Sequence, residues 1–488
     1  MPLDLSNYRF NLDNSFRRLP RHFYSYCPTQ SAPSPTLVCF NEQLVSELGL
    51  DFSCANQGEL SALFSADPGT HMIHTMAQAY AGHQFGHLSL LGDGRAHLLG
   101  EHVTDQGLRY DIQFKGSGKT PYSRGGDGQA ALGPMLREML VSEAMYHLGI
   151  PTSRSLAVAT TGQTVFRDRV LPGAVLTRVA SSHIRIGTFE YAALTQAPGD
   201  LKALLDYTLK RHYPDCLSAS NPALAFLDVV MKKQIALMVA WMRVGFIHGV
   251  MNTDNCMVSG ETLDYGPCAF LDAYHPNTVF SAIDSQGRYA FSQQSHCAKW
   301  NCVRLAETLL PLIDSSIDKA CHRVEAVIRD FDHQYQSQWL DMMLAKIGCD
   351  GRQDDDQSLV DDLLSWMADH QADYTQTFYH LTLSRGQQNL NLLKPSLRSW
   401  YQRWQKRLIL NQYNQAQSNQ MMQTYNPCLI PRNHILDQAL HAANEGDTKP
   451  WHDFYQAIQS PYDYKSPQPH YQQPPLPHER IHTTFCGT

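Results

Sequence analysis

The sequence lacks the marks of several common protein classes. Its twelve cysteines contain no Cys-x-x-Cys pair, the closest two being Cys297 and Cys302. That argues against a zinc ribbon or a secreted disulfide framework, and most thiols read as small buried hydrophobes. Long apolar runs are missing too. In the most apolar helical segment the unbroken stretch is only Ile235 to Met242, against about 20 residues for a bilayer span. Met1 to Pro20 has no apolar core of a secretory signal, so no membrane contact and a cytoplasmic location are expected. A net charge of -7 argues against nucleic-acid binding by charge alone, though a local basic cleft remains compatible with it. A P-loop is absent as well: GSGKT at Gly116 to Thr120 would need a glycine at position 113, which is Gln113. No internal repeat is present.

What is there describes an ordinary globular protein of 488 residues, 43% hydrophobic and 17% charged. That length exceeds the roughly 250 to 300 residues at which one core stops growing, so two or more lobes are expected. Residues 1–79 read as an N-terminal extension with Pro-rich breaks and a short helix from Asn41 to Leu48. Residues 80–190 read as a strand-rich lobe, 191–415 as a mainly helical lobe, and 416–488 as a helical segment followed by a Pro-rich surface tail.

In the strand-rich lobe, Leu88 to Leu91 and Ala96 to His102 flank Gly92-Asp93-Gly94-Arg95, which predicts a hairpin with an exposed glycine tip. A third strand, Leu108 to Lys115, alternates so that Lys115 faces away from Ile112 and Phe114. The lysine is either solvated or held over a phosphate. Gly116 to Gly128 forms a glycine-rich loop carrying Lys119, Arg124 and Asp127, whose backbone amides suit an anion. Leu132 to Leu148 is helical, closed by Gly149, and leaves Glu138 and Glu143 off the apolar stripe, where exposure is expected. Residues 156–179 read as a further hairpin. Arg178 and Arg185 follow at a spacing that suits either bidentate phosphate binding or structural ion pairs.

Asn221 and Pro222 cap a long helix to Arg243 that ends at Gly245. Beyond it, 299–312, 315–346, 354–379 and 397–415 each read as one helix of a bundle. Between lies His248 to Gly266, with HGVMNTDN and LDYG. Asp254, Asn255 and Asp264 in so short a span read as a divalent-metal cradle or as solvated loop residues.

The order of parts decides more than any one of them. A strand lysine, a helix glutamate, a polar loop and an Asp-aromatic-Gly follow as in a protein-kinase lobe pair. Asn255 lies seven residues after His248, as in HRDxxxxN, and Asp264-Tyr265-Gly266 stands where DFG would. The fold class expected is therefore α+β, bilobal and protein-kinase-like, with an N-terminal extension and helical C-terminal additions. Val250 occupies the place of the kinase base and cannot accept a proton.

YAGHQFG (Tyr80 to Gly86), LGDGR, KGSGKTPYSRGGDG, REMLVSEAMYHLGIPTSR, HGVMNTDN, LDYGP and NPCLIPRN together make the chain similar to the selenoprotein O (SelO/YdiU) family over nearly its full length. The resemblance implies transfer of AMP, rather than phosphate, from ATP to Ser, Thr or Tyr hydroxyls of proteins, with ATP reversed relative to a kinase. Carried across by motif, Lys115 binds phosphate and Glu138 orients it. Gly92, Gly94, Arg95, Asp127, Gly128, Arg178, Arg185 and Asp264 surround ATP. Asn255 and Asp264 hold Mg²⁺ or Mn²⁺, and Asp254 is the catalytic carboxylate. Beside a metal ligand, Asp254 is expected to have a depressed pKa and to orient more than it removes protons. Gln129, where the family has Arg, and Cys268, where an aromatic is common, depart from the pattern. Cys486 matches a redox position that is selenocysteine in some members. The protein is expected to act as a monomer on ATP and protein substrates; a conventional kinase and an inactive nucleotide-binding scaffold are the alternatives.

Overall fold

The computed structural model describes residues 3–70, 74–195, 197, 199–387 and 395–485; Cys486 lies outside them. Of the eleven described cysteines, all free, eight are buried, as the sequence pattern suggested. No described helix is long and apolar enough to cross a membrane.

The chain is mixed α+β. Its strands are β1 (Leu12–Asp13), β2 (Tyr24–Tyr26), β3 (Thr36–Phe40), β4 (Met76–Gln78), β5 (Ala81–Gln84), β6 (His87–Leu90), β7 (Ala96–Val103), β8 (Arg109–Lys115), β9 (Ala130–Ala131), β10 (Arg154–Phe166), β11 (Val170–Ala180), β12 (Phe246–Ile247) and β13 (Ala269–Phe270). Nine form one antiparallel sheet along the path β2-β4-β7-β8-β11-β10-β3, with β1 on β7 and β9 on β11. The N-terminal segment thus supplies strands at both ends of the path. Here Ile112, Phe114, Val175 and Val179 pack on one sheet face against α1 (Glu42–Leu48) and α2 (Gln57–Phe64). Asn41 caps α1 and Asn56 closes a capping box with Glu59 on α2.

The other face receives α3 (Leu132–His147). Next come α4 (Ile186–Leu194), α5 (Asp200–His212) and the long α6 (Pro222–Val244). Asn221 accepts from Leu224 N at 3.0 Å, Pro222 opens the first turn of α6, and Gly245 ends it at φ +74°. The main core runs from α3 through α6 into α7 (Gln294–Ile313) and the C-terminal helices.

Two of the predicted single helices are each two, and a third ends early. Residues 315–346 form α8 (Ile317–Arg329) and α9 (Phe331–Lys346), because α8 packs on α7 while α9 packs on α6. Residues 354–379 split into α10 (Asp356–Asp369) and α11 (Tyr374–Gln387) around Gln371, at φ +46°. The stretch expected over 397–415 ends as α12 (Arg398–Ile409), and Asn414 caps a new helix, α13 (Gln415–Tyr425). Then come α14 (Asn433–Asn444), α15 (Lys449–Ala457) and a short α16 (Pro469–Gln472). The tail returns to the middle of the molecule, where Thr484 N donates to Phe280 O at 2.7 Å.

The hairpin expected around Gly92 to Arg95 does not form. β6 pairs instead with β5 in a separate ribbon, and β7 joins β8. Nor is the tip exposed, since Asp93 is buried. Its carboxylate accepts from Gln78 N at 3.0 Å and Gln113 Nε2 at 3.1 Å, which draws the turn inward. A buried carboxylate that lost those donors would incur its full desolvation cost.

Candidate active site

Strand alternation places the first cations. Arg178 on β11 lies directly opposite Gln113 on β8, and Lys115, two residues on, shares the face of Gln113. That face looks onto α3, so Glu138, contrary to the exposure expected of it, is buried beneath both cations. Lys115 Nζ lies 2.6 Å from Glu138 Oε2, and Arg178 Nε donates to Glu138 Oε1 at 2.9 Å. Glu143 is buried as well, paired with Arg154 at 2.6 and 2.8 Å. Helical periodicity missed both because ion pairing, not apolarity, offsets their burial.

Asp264, in the loop before β13, approaches the same pair. Its Oδ1 accepts from Lys115 and, at 3.3 Å, from Arg178. Burial opposes ionisation, yet Lys115 and Arg178 hold the carboxyl well below its ordinary range. Asp264 sits at φ +70°, which is costly for a non-glycine residue. Arg137 of α3 holds the following turn by donating to Gly266 O at 2.9 Å and to Cys268 O.

Arg185 precedes α4 and turns inward. It donates to Asp93 Oδ1 at 3.4 Å and to Asp254 O at 3.2 Å, and its guanidinium lies 4.0 Å from the Tyr80 ring centroid. The glycine loop closes over this group. Gly118 N donates to Gly128 O at 3.0 Å, and a Cβ on Gly128 would lie 2.1 Å from Gly118 O. Gly92, at φ +143°, has the Tyr122 ring where its Cβ would be. Asp127, near the loop's end, is exposed and pairs with Arg167 at 2.8 Å.

Two cavities meet here. One, of about 550 Å³, is bordered by the 92–96 turn, the glycine loop and the cations Arg95, Lys115, Arg124, Arg178 and Arg185. Its neighbour, of about 530 Å³, is lined by Glu138, Val250, Asn255, Tyr265 and Thr484 among others. Arg95, Lys115 and Asp264 border both. Asp127 and Gly128 border the first only. Asp254 lies under β5, where a Cβ on Gly82 would sit 2.3 Å from its Oδ1. Burial pushes its carboxyl up to about 6 against the pull of Arg185, the reverse of the depression expected from sequence.

The family model described as "Protein adenylyltransferase SelO" matches residues 7–459. The chain belongs to the SelO family. It is 49% identical over 480 residues to "Protein nucleotidyltransferase YdiU" of Nitrosococcus oceani, covering 98% of this chain and 97% of that one. With the Alcanivorax borkumensis protein of the same description it shares 50% over 484 residues, covering 99% of this chain and all of the other. The Anoxybacillus flavithermus protein, also so described, is 49% identical over 483 residues, 99% of this chain and all of the relative.

The SelO motifs held residues to which sequence reasoning gave no role. Tyr80 and Asp93 contact Arg185, Gln113, just outside the motifs, holds Asp93, and Arg137 braces the Asp264 turn. Asp93 was readable as the one acid between Gly92 and Gly94; Tyr80 and Arg137 carried no chemical signal of their own.

A divalent metal fits the donor set. Asp264 offers a hard carboxylate oxygen held ionised by its cations, and Asn255 donates from Nδ2 to Val250 O at 3.1 Å, which fixes the amide and would leave its carbonyl oxygen for a metal. No group of three or more His, Cys, Asp or Glu among the described residues could hold a metal alone. Two oxygen ligands with phosphates completing the shell is the pattern Mg²⁺ favours.

Proposed function

We propose that the protein transfers AMP from ATP to Ser, Thr or Tyr hydroxyls of other proteins, releasing pyrophosphate, on a protein-kinase-like bilobal fold. The observation that carries this reading is the joining of a cation-walled cavity to a second one at Lys115, Arg95 and Asp264. Support for the kinase likeness comes from the Lys115–Glu138 pair joining strand and helix and from the Asp264-Tyr265-Gly266 turn beside it.

Arg95, Lys115, Arg178 and Arg185 bind the outer phosphates of ATP, and the crossed glycine loop encloses them. Pα then lies toward the second cavity, reversed relative to a kinase. The acceptor oxygen attacks Pα in line, the bond from Pα to the bridging oxygen of Pβ breaks, and pyrophosphate leaves among the cations. Preorganised cations are worth most in such a partly buried site, because they need no reorganisation as charge develops. Asp254, the carboxylate adjoining Asn255, takes the hydroxyl proton in this reading, although it borders neither cavity. Asp264 and Asn255 would hold Mg²⁺ or Mn²⁺, which supplies further charge neutralisation on the phosphates. Val250 leaves no base at the position a kinase would use. ATP as donor suits the cytoplasm, and the protein's partners are ATP and hydroxyl-bearing proteins.

ATP labelled at the α or the γ position, incubated with the protein and Mg²⁺ or Mn²⁺, tests the reading. Label should remain on protein only from the α position. Retention from γ would make it a kinase, and retention from neither a nucleotide-binding scaffold.

A further inference from the structure

Glu190, on α4, belongs to no motif that carries the ATP site, yet its carboxylate is almost fully enclosed and both oxygens are used. Oε1 lies 2.5 Å from His83 Nδ1 on β5, and Oε2 accepts from Thr253 Oγ1 at 2.6 Å. Thr253 Oγ1 in turn accepts from His83 N at 2.7 Å, so its hydroxyl is fixed as donor to the glutamate and acceptor from the ribbon. Thr253 immediately precedes Asp254 and Asn255.

Three elements therefore converge on one carboxylate: the β5–β6 ribbon, the 253–255 turn and α4, which begins just after Arg185. They meet at two glycines where no side chain fits. A Cβ on Gly187 would lie 2.0 Å from Ala81 O, and one on Gly82 2.3 Å from Asp254 Oδ1. Phe85 N donates to Asn252 Oδ1 at 3.3 Å, and the Tyr289 hydroxyl donates to the same oxygen at 2.7 Å. The contacts fix the approach of the ribbon, and Glu190 fixes the turn against it.

We propose that Glu190 is a positioning residue for transfer: through Thr253 and His83 it sets where Asp254 and Asn255 stand relative to Arg185 and Asp264. This rests on the function proposed above. Glu190 lines neither cavity, and its effect passes through the turn. A displacement of about 1 Å at such a turn can cost on the order of 100-fold in rate.

The test uses the full chain with Glu190→Ala, Glu190→Gln, Thr253→Val and Thr253→Ser. Measurements are kcat and KM for ATP in α-label transfer, and ATP affinity by calorimetry with and without Mn²⁺. Glutamine can accept from Thr253 and donate to His83 Nδ1 in the tautomer where that nitrogen is bare, so it preserves the geometry without the charge. Glu190→Ala and Thr253→Val should lower kcat about 10- to 100-fold with KM for ATP little changed. Glu190→Gln and Thr253→Ser should recover most of the rate. Metal-free ATP affinity should stay within about 3-fold, while the gain on adding Mn²⁺ shrinks in the two disruptive variants. Unchanged kcat and Mn²⁺ gain in Thr253→Val, or no recovery in the conservative pair, overturns the proposal. If Glu190→Ala does not fold, the Thr253 pair decides. Should the parent transfer no AMP, the proposed function fails, and the Mn²⁺ gain still decides the role of Glu190.

Discussion

Gly82 and Asp254 are in a contact that tolerates no side chain: a Cβ on Gly82 would lie 2.3 Å from Asp254 Oδ1, 2.7 Å from its Cγ and 2.8 Å from its Cβ. The whole Asp254 side chain lies in the way, not only its tip, so the turn itself has to shift. Gly82→Ala should lower transfer at least about 10-fold and cost about 1–3 kcal/mol of stability. Steady-state kinetics and urea denaturation measure the two effects, and full activity in the variant would contradict the packing described.

Asp264 and Asp254 should respond differently to removal. Asp264→Ala takes away a proposed metal ligand and the carboxylate facing Lys115 and Arg178, and α-label transfer should fall below detection. Asp254→Ala, which leaves every cation in place, should retain measurable transfer. An Asp264→Ala protein as active as the parent would refute the site assignment.

Glu138 and Glu143 occupy one helix but should separate function from stability. Glu143 lies 2.8 and 2.6 Å from the Arg154 guanidinium and accepts from Ser155 N at 3.1 Å. Glu143→Ala should cost roughly 3 kcal/mol by leaving Arg154 less compensated, with ATP affinity unchanged. Glu138→Ala should lose both stability and ATP affinity, since Lys115 and Arg178 both depend on it. Paired denaturation and ATP titration would distinguish them.

Acid should destabilise the protein through its buried histidines, with the raised Asp254 carboxyl acting in the opposite sense. Burial pushes His97 and His212 down to about 4, so between pH 6.5 and 4 the unfolded chain takes up protons that the folded one refuses. Stability should fall through that window by about 3 kcal/mol for each histidine. Asp111 acts lower: despite burial, Arg211 and His183 bring it down to about 2, so its contribution persists until the pH falls below the ordinary aspartate value. Urea midpoints from pH 7 to 4 test the first effect, and His97→Gln should flatten the slope.

Much of the site was legible because its chemistry is written in spacing. The alternation of Ile112 to Lys115 put the lysine on the correct face, and Asn221, Pro222 and Gly245 marked α6 at both ends. These are local effects, dictated by backbone period and capping. The breaks at Asp330 and Gln371 carried no glycine or proline, and they follow from what each half of the helix packs on.

Local pattern by itself determined the class of elements, their order and the residue types able to handle a triphosphate. Tertiary structure decided which of them meet. It buried Glu138 and Glu143 against cations, drew Asp93 inward to Gln78, Gln113 and Arg185, paired β6 with β5 rather than β7, and raised the proton affinity of Asp254 where proximity to a metal ligand suggested the opposite. The physical reason is common to all four. Desolvation and long-range pairing depend on what surrounds a group in space, and no periodicity along the chain encodes that.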